Sequence, residues 1–186
     1  MVEKIGEGVN LIRNIISIVC AVAFIGIVGY FGYNYFFGKT VIESNSKYFE
    51  LTVPSKYTFE ENDIDDEDVE MSKFENNKGL YIFAWAYESS ENEFKADAES
   101  YYAGYTEDEE ESYSNITDLK KTEISGFETY TFTYEYVDEF DEDYYAYTVL
   151  INAEEGIYEL ILEAPKADQD KYKEDLEKIA ETFKEL

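Results

Sequence analysis

From residue 47 onward, apolar and polar positions alternate with a period of two, interrupted twice by stretches in which apolar residues recur at helical spacing. The alternation predicts strands over 48–53, closed by Pro54, and over 69–74, 80–87, 119–124, 127–137, 144–153 and 157–162, with a short extended piece at 57–59. In the segment LYIFAWAY, Leu80, Ile82, Ala84 and Ala86 fall on one face and Tyr81, Phe83, Trp85 and Tyr87 on the other. Both faces are apolar, so this strand belongs in the middle of a sheet covered on both sides. Gly126 and the acidic segment 138–143 read as turns, and Glu154-Glu155-Gly156 connects the last two strands as a hairpin. The first helix is expected to start at Ser90, with Glu93 completing a capping box, to carry Phe94, Ala98, Tyr101 and Tyr105, and to end near Gly104. The second follows Pro165 and a cap at Asp168, with Tyr172, Leu176, Ile179 and Phe183 as a single stripe. Segments 60–68 and 107–115 are charge-rich and read as exposed loops.

A different pattern precedes all of this. Residues 15–37, IISIVCAVAFIGIVGYFGYNYFF, carry no charge over 23 positions. As a helix rising about 1.5 Å per residue they span ~34 Å, enough for a hydrocarbon core of ~30 Å. A cleaved signal peptide is the alternative, but the Ala21-Val22-Ala23 spelling lies in the first half of the run, and cleavage there leaves Phe24 to Phe37 as an apolar new terminus. Val19 before Cys20 argues against a lipid-modified cysteine. Lys4 and Arg13 before the span, against Lys39, Lys47 and Lys56 after it, do not decide orientation; the short leading tail does, since long following domains are translocated largely regardless of charge. The expected organisation is a cytoplasmic tail at 1–14, a single transmembrane helix at 15–37, a tether at 38–46 and an extracytoplasmic domain at 47–186, placing the chain in the cell membrane with the bilayer as its first partner. Small residues in the span do not form the glycine spacing of a helix dimer, and no oligomeric state follows.

Composition narrows the chemistry. The first 37 residues hold only Glu3, Glu7, Lys4 and Arg13 among charged groups, which leaves 13 basic and 41 acidic residues, and the whole net charge of -28, to the rest. Nucleic acid and anionic lipid surfaces are poor partners for such a domain. There is no His, the only Cys is Cys20 and the only Arg is Arg13. The usual general base, the thiolate nucleophile, the commonest zinc ligands and the bidentate phosphate clamp are therefore all missing from the domain. Carboxylate, Lys, Tyr, Ser and Thr remain.

The segment YFELTVPSKYTFEE near the start of the domain, a strand ending in Pro followed by an aromatic extended piece, and DLEKIAETFKEL as a terminal helix together resemble the PsbP/Mog1-like family, over about residues 47–186. The resemblance implies an α+β fold in which an antiparallel sheet is sandwiched by helices; a cystatin-like or NTF2-like helix-on-sheet fold is the alternative. It implies no single function, since the family includes photosystem II accessory proteins, a nuclear-transport cofactor and membrane-attached bacterial proteins. The His ligands some members use for metal have no counterpart here.

Among candidate sites, Asp63, Asp65, Asp66 and Asp68 are the metal candidates, as hard oxygen donors for Ca²⁺. A loop counted from Asp63 has Asp68 where the EF-hand needs Gly and Phe74 where it needs Glu, so a solvated acidic face with weak Ca²⁺ or Mg²⁺ association is expected, with no cofactor. Tyr130, Phe132, Tyr134 and Tyr136 share one strand face and Tyr145 and Tyr147 another. Such ladders ordinarily pack in a core; Tyr144, Tyr145 and Tyr147 are the candidates for a ligand or partner surface. The expected role is a non-catalytic binding or accessory module for an envelope protein, peptide or cation. The alternative, a carboxylate-dependent enzyme on envelope glycans, requires a cleft holding an Asp or Glu of raised pKa.

Overall fold

The computed structural model describes residues 26–30, 32, 38–62, 68–87, 94–107 and 113–186. The chain divides into two compact units, Met1–Lys39 with Pro54–Lys56, and Thr40–Val53 with Tyr57–Leu186. In the first, residues 26–30 and 32 are helical. The span expected at 15–37 otherwise lies outside the described residues, among which no helix is long and apolar enough to cross a membrane.

The second unit is built on a seven-stranded antiparallel sheet in the order β3-β4-β5-β9-β8-β7-β6. Its strands are β3 (Glu60–Glu61), β4 (Val69–Glu75), β5 (Leu80–Tyr87), β6 (Lys120–Ile124), β7 (Phe127–Val137), β8 (Asp143–Asn152) and β9 (Ile157–Pro165). A three-stranded sheet, β1-β2-β10, joins β1 (Lys39–Glu43) and β2 (Phe49–Pro54) to β10 (Lys184–Glu185). The helices are α1 (Phe94–Glu107) and α2 (Gln169–Ala180), the latter entered through a 3-10 turn at Lys166–Asp168. The fold is α+β, with a helix packed on each face of the large sheet.

Each face has its own core. On one side Leu80, Ile82 and Ala84 of β5 and Tyr158, Leu160 and Leu162 of β9 meet Tyr172, Leu176 and Ile179 of α2 and the inward residues Phe49, Leu51 and Val53 of β2. On the other, Phe94, Ala98, Tyr101, Tyr102 and Tyr105 of α1 lie on Tyr130, Phe132 and Tyr134 of β7 and on Leu150, Ile157 and Ile161. β9 is buried at all of its positions from Ile157 to Ala164, as a central strand covered on both faces must be. Tyr105 meets Tyr134 at 4.7 Å, Tyr113 at 4.8 Å and Phe132 at 5.1 Å between ring centroids. Aromatic pairs of this kind contribute about 0.5–1.5 kcal/mol each beyond burial, enough to carry α1 through Gly104, where the helix was expected to stop, to Glu107. The capping residue predicted for it, Ser90, lies outside the described residues.

Three further local features differ from expectation. Residues 57–59 are irregular, and Tyr57 instead buries its ring against Tyr172 and donates a hydrogen bond to Asp175. Asp168 precedes α2 but its side chain makes no capping hydrogen bond, because the 3-10 turn has already satisfied that end. The segment read as a tether contains β1. The β6–β7 turn is tight: Ser125 and Gly126 both take positive φ, 52° and 90°, as a two-residue hairpin of this twist requires.

Candidate partner-binding groove

α2 packs on β9 and β8, and the sheet continues past it through β7 to β6. The uncovered shelf is an open groove of about 780 Å³. One long side is the continuous backbone stretch Thr117–Ile124, which includes all of β6. Among the described residues β6 pairs only with β7, which leaves its outer edge without a strand partner there. Register places Lys120, Thr122 and Ile124 of β6 opposite Thr131, Thr129 and Phe127 of β7, all on the α2 face. Lys173, Glu177 and Glu181 form the opposite wall, and Tyr147 lines the floor. Burial pushes the Tyr147 phenol up to about 12; the Thr131 hydroxyl opposes this, and the charges of Glu177 and Glu181 add to it. Tyr147 is thus a neutral donor at physiological pH. A strand edge, a phenol, charges of both signs and alternating threonines are a surface for an extended polypeptide rather than for a small molecule.

The opposite face carries a different arrangement. Glu159 and Glu163 project from β9 beneath the aromatic layer, 4% and 7% exposed. Glu159 accepts hydrogen bonds from Tyr87 at 2.9 Å and from Tyr101, whose hydroxyl lies 2.7 Å from that of Tyr105. Burial raises the pKa of Glu159 against the opposing effect of these two phenols. Burial also pushes Glu163 up to about 7, despite a hydrogen bond from Tyr136. The phenols respond in kind: burial first, then the charge of Glu159 on Tyr101 and of Glu163 on Tyr136, hold both well above the usual tyrosine range. Four residues apart on a strand, the two glutamates have backbones ~13 Å from each other, with Ile161 between them. Carboxylates cooperating on a glycosidic bond stand about 5–9.5 Å apart.

The residues singled out in the sequence are distributed as follows. Asp63, Asp65 and Asp66 lie outside the described residues; Asp68 is exposed in the turn entering β4. Among the described residues no group of three or more acidic side chains is arranged to hold a metal ion. In the 138–143 turn, the Asp138 carboxylate accepts the backbone N–H of Phe140 and of Glu142 at 2.9 and 2.8 Å, shaping the turn. Tyr144 is buried on the α1 face, stacked on Tyr136 at 5.6 Å. Tyr145 is buried in the α2 core. Of the three tyrosines, Tyr147 lies in the groove. Glu159 and Glu163 were not singled out, although two glutamates in IYELILEAP, an otherwise apolar strand, are the visible signal.

No family model matches this chain, and no curated protein matches it. Solved structures do. The solution structure of cyanobacterial PsbP (CyanoP) from Synechocystis sp. PCC 6803 superposes with a TM-score of 0.56 at 10% identity, covering 80% of this chain and 92% of that one. The domain has the PsbP-like fold. LpqN, involved in cell envelope biogenesis of Mycobacterium tuberculosis, superposes with a TM-score of 0.52 at 12% identity, covering 78% of this chain and 88% of that one. At such identities the likeness establishes the fold alone, a PsbP-like sheet between helices.

Proposed function

We propose that this chain is a single-pass membrane protein whose extracytoplasmic PsbP-like domain is a non-catalytic module that binds an extended segment of an envelope protein. The observation that carries the proposal is the groove between α2 and the outer edge of β6, lined along one side by residues 117–124, in which the five residues of β6 lie at the sheet edge beside Tyr147 and Lys173. Main-chain hydrogen bonds to an edge strand supply affinity, and side-chain pockets on the adjoining face supply selection. The apolar run at 15–37 supplies the membrane anchor and 38–46 the tether, and the likeness in fold to LpqN, involved in cell envelope biogenesis, is in keeping with that setting.

The glycan-hydrolase alternative is disfavoured by the separation of Glu159 and Glu163 along β9. Selection of peptides from a displayed random library on the full chain in detergent micelles tests the binding proposal. Selected peptides bind, lose binding when alternate amides are N-methylated, and bind about tenfold more weakly to the Lys173→Glu and Tyr147→Ala variants. Peptides indifferent to N-methylation and to both substitutions would sink it.

A further inference from the structure

Beneath the start of α1 is a second, smaller cavity of about 190 Å³. Its walls are Phe94, Ala98, Leu150 and Ile157, and Glu159 is set among them with Tyr87 and Tyr101. For scale, an apolar cavity of ~150 Å³ accommodates benzene. The walls are apolar, yet the one group set deep among them is a carboxylate that receives hydrogen bonds from two phenols and makes no ion pair with any described residue. Burial without a compensating cation is what raises its pKa. Asp97, exposed on α1, also lines the cavity and adds a second negative charge there. Three aromatic residues, Tyr87, Phe94 and Tyr101, line the cavity, and the face of an aromatic ring attracts a cation.

We propose that this cavity is a binding site for a small organic cation, a primary amine carrying an apolar body about the size of one aromatic ring, whose ammonium group meets Glu159. Such a ligand supplies two things that no described residue provides there, an apolar filling and a positive charge beside a buried carboxylate. A neutral ligand of the same shape supplies only the first, and an anion opposes the second. The site lies on the α1 side of the sheet, away from the α2 shelf, so it stands independently of the peptide groove.

The test is titration of the full chain in detergent micelles with benzylamine and, separately, with benzyl alcohol, by calorimetry at about 0.3 M NaCl, where diffuse attraction to the acidic surface is screened. Benzylamine is expected to bind at one saturable site at least about tenfold more tightly than benzyl alcohol. Glu159→Gln is expected to abolish that preference, whereas Glu163→Gln, which removes a carboxylate from the same strand outside the cavity, leaves it intact. Equal affinity for amine and alcohol on the unmodified protein overturns the proposal without reliance on any variant. Absence of saturation by benzylamine, or a preference that survives Glu159→Gln, overturns it as well.

Discussion

Tyr136 donates a hydrogen bond of 2.8 Å to Oε2 of Glu163, joining β7 to β9 across Ala146 on the intervening strand. Burial is the largest influence on this carboxyl and lifts it from 4.5 to about 7, with Asp138 acting in the same direction and the Tyr136 hydrogen bond against it. Between those values the folded protein holds a proton that the unfolded chain has released, so this group makes stability fall as pH rises through that window. Glu163→Gln keeps an acceptor for Tyr136 and has no proton to lose. The variant is expected to be more stable than the parent by about 3 kcal/mol at pH 8 and to match it below pH 4.5. Urea unfolding of both proteins across that range checks this, and parallel pH profiles would refute it.

Gly156 closes the β8–β9 hairpin for a reason of space. A Cβ built there lies 2.7 Å from the carbonyl oxygen of Tyr87, which is backbone and cannot swing aside. Gly156→Ala is expected to cost about 1–3 kcal/mol through displacement of the end of β5. An unchanged urea midpoint would show that the two strands separate freely at this point.

Self-repulsion in a domain of net charge -28 has a consequence without any designed site. Raising salt shortens the reach of that repulsion from ~30 Å at low ionic strength to ~8 Å at physiological strength, so the melting temperature is expected to rise with salt. Millimolar Ca²⁺ and Mg²⁺ are expected to raise it about equally, and replacing Asp65, Asp66 and Asp68 with Asn to blunt the effect only in part. Calorimetry that finds one stoichiometric, micromolar Ca²⁺ would identify a dedicated site instead.

Topology can be read by proteolysis. Protease added to intact cells, or to spheroplasts where an outer layer blocks access, is expected to digest the region after Gly38. Full protection, under conditions that cut a known external control, would overturn the extracytoplasmic placement.

Local patterning carried the large sheet well. The doubly apolar segment LYIFAWAY became β5, paired on both sides, with Leu80, Ile82 and Ala84 buried but Tyr81, Phe83 and Trp85 only partly covered and Tyr87 exposed, and the ladder from Tyr130 to Tyr136 became the floor beneath α1. The small sheet was not legible, because β10 is two residues long and finds its partner Glu50 from Lys184, a pairing that no local period encodes. The groove depends on how far α2 extends over the sheet, and that is set by packing of Leu176 and Ile179, not by the strands it leaves bare. The cavity at Glu159 was hidden because a glutamate in an apolar strand reads as solvent-facing until a helix is found above it.

The Thr182 hydroxyl accepts the backbone N–H of Thr52 at 2.7 Å and donates to the carbonyl of Ile179 at 2.6 Å. Nearby, Glu185 accepts the N–H groups of Glu154 and Glu155 and the hydroxyl of Tyr158. The stitch therefore joins the second strand of the domain to residues that are made 130 positions later. Such long closures are entropically late events, while the contiguous β7, β8 and β9 meander can form on its own. A chain emerging amino end first must hold Phe49, Leu51 and Val53 uncovered until Phe183 arrives, so the time before completion, rather than the finished fold, is when this protein is most exposed to proteases and to chaperones.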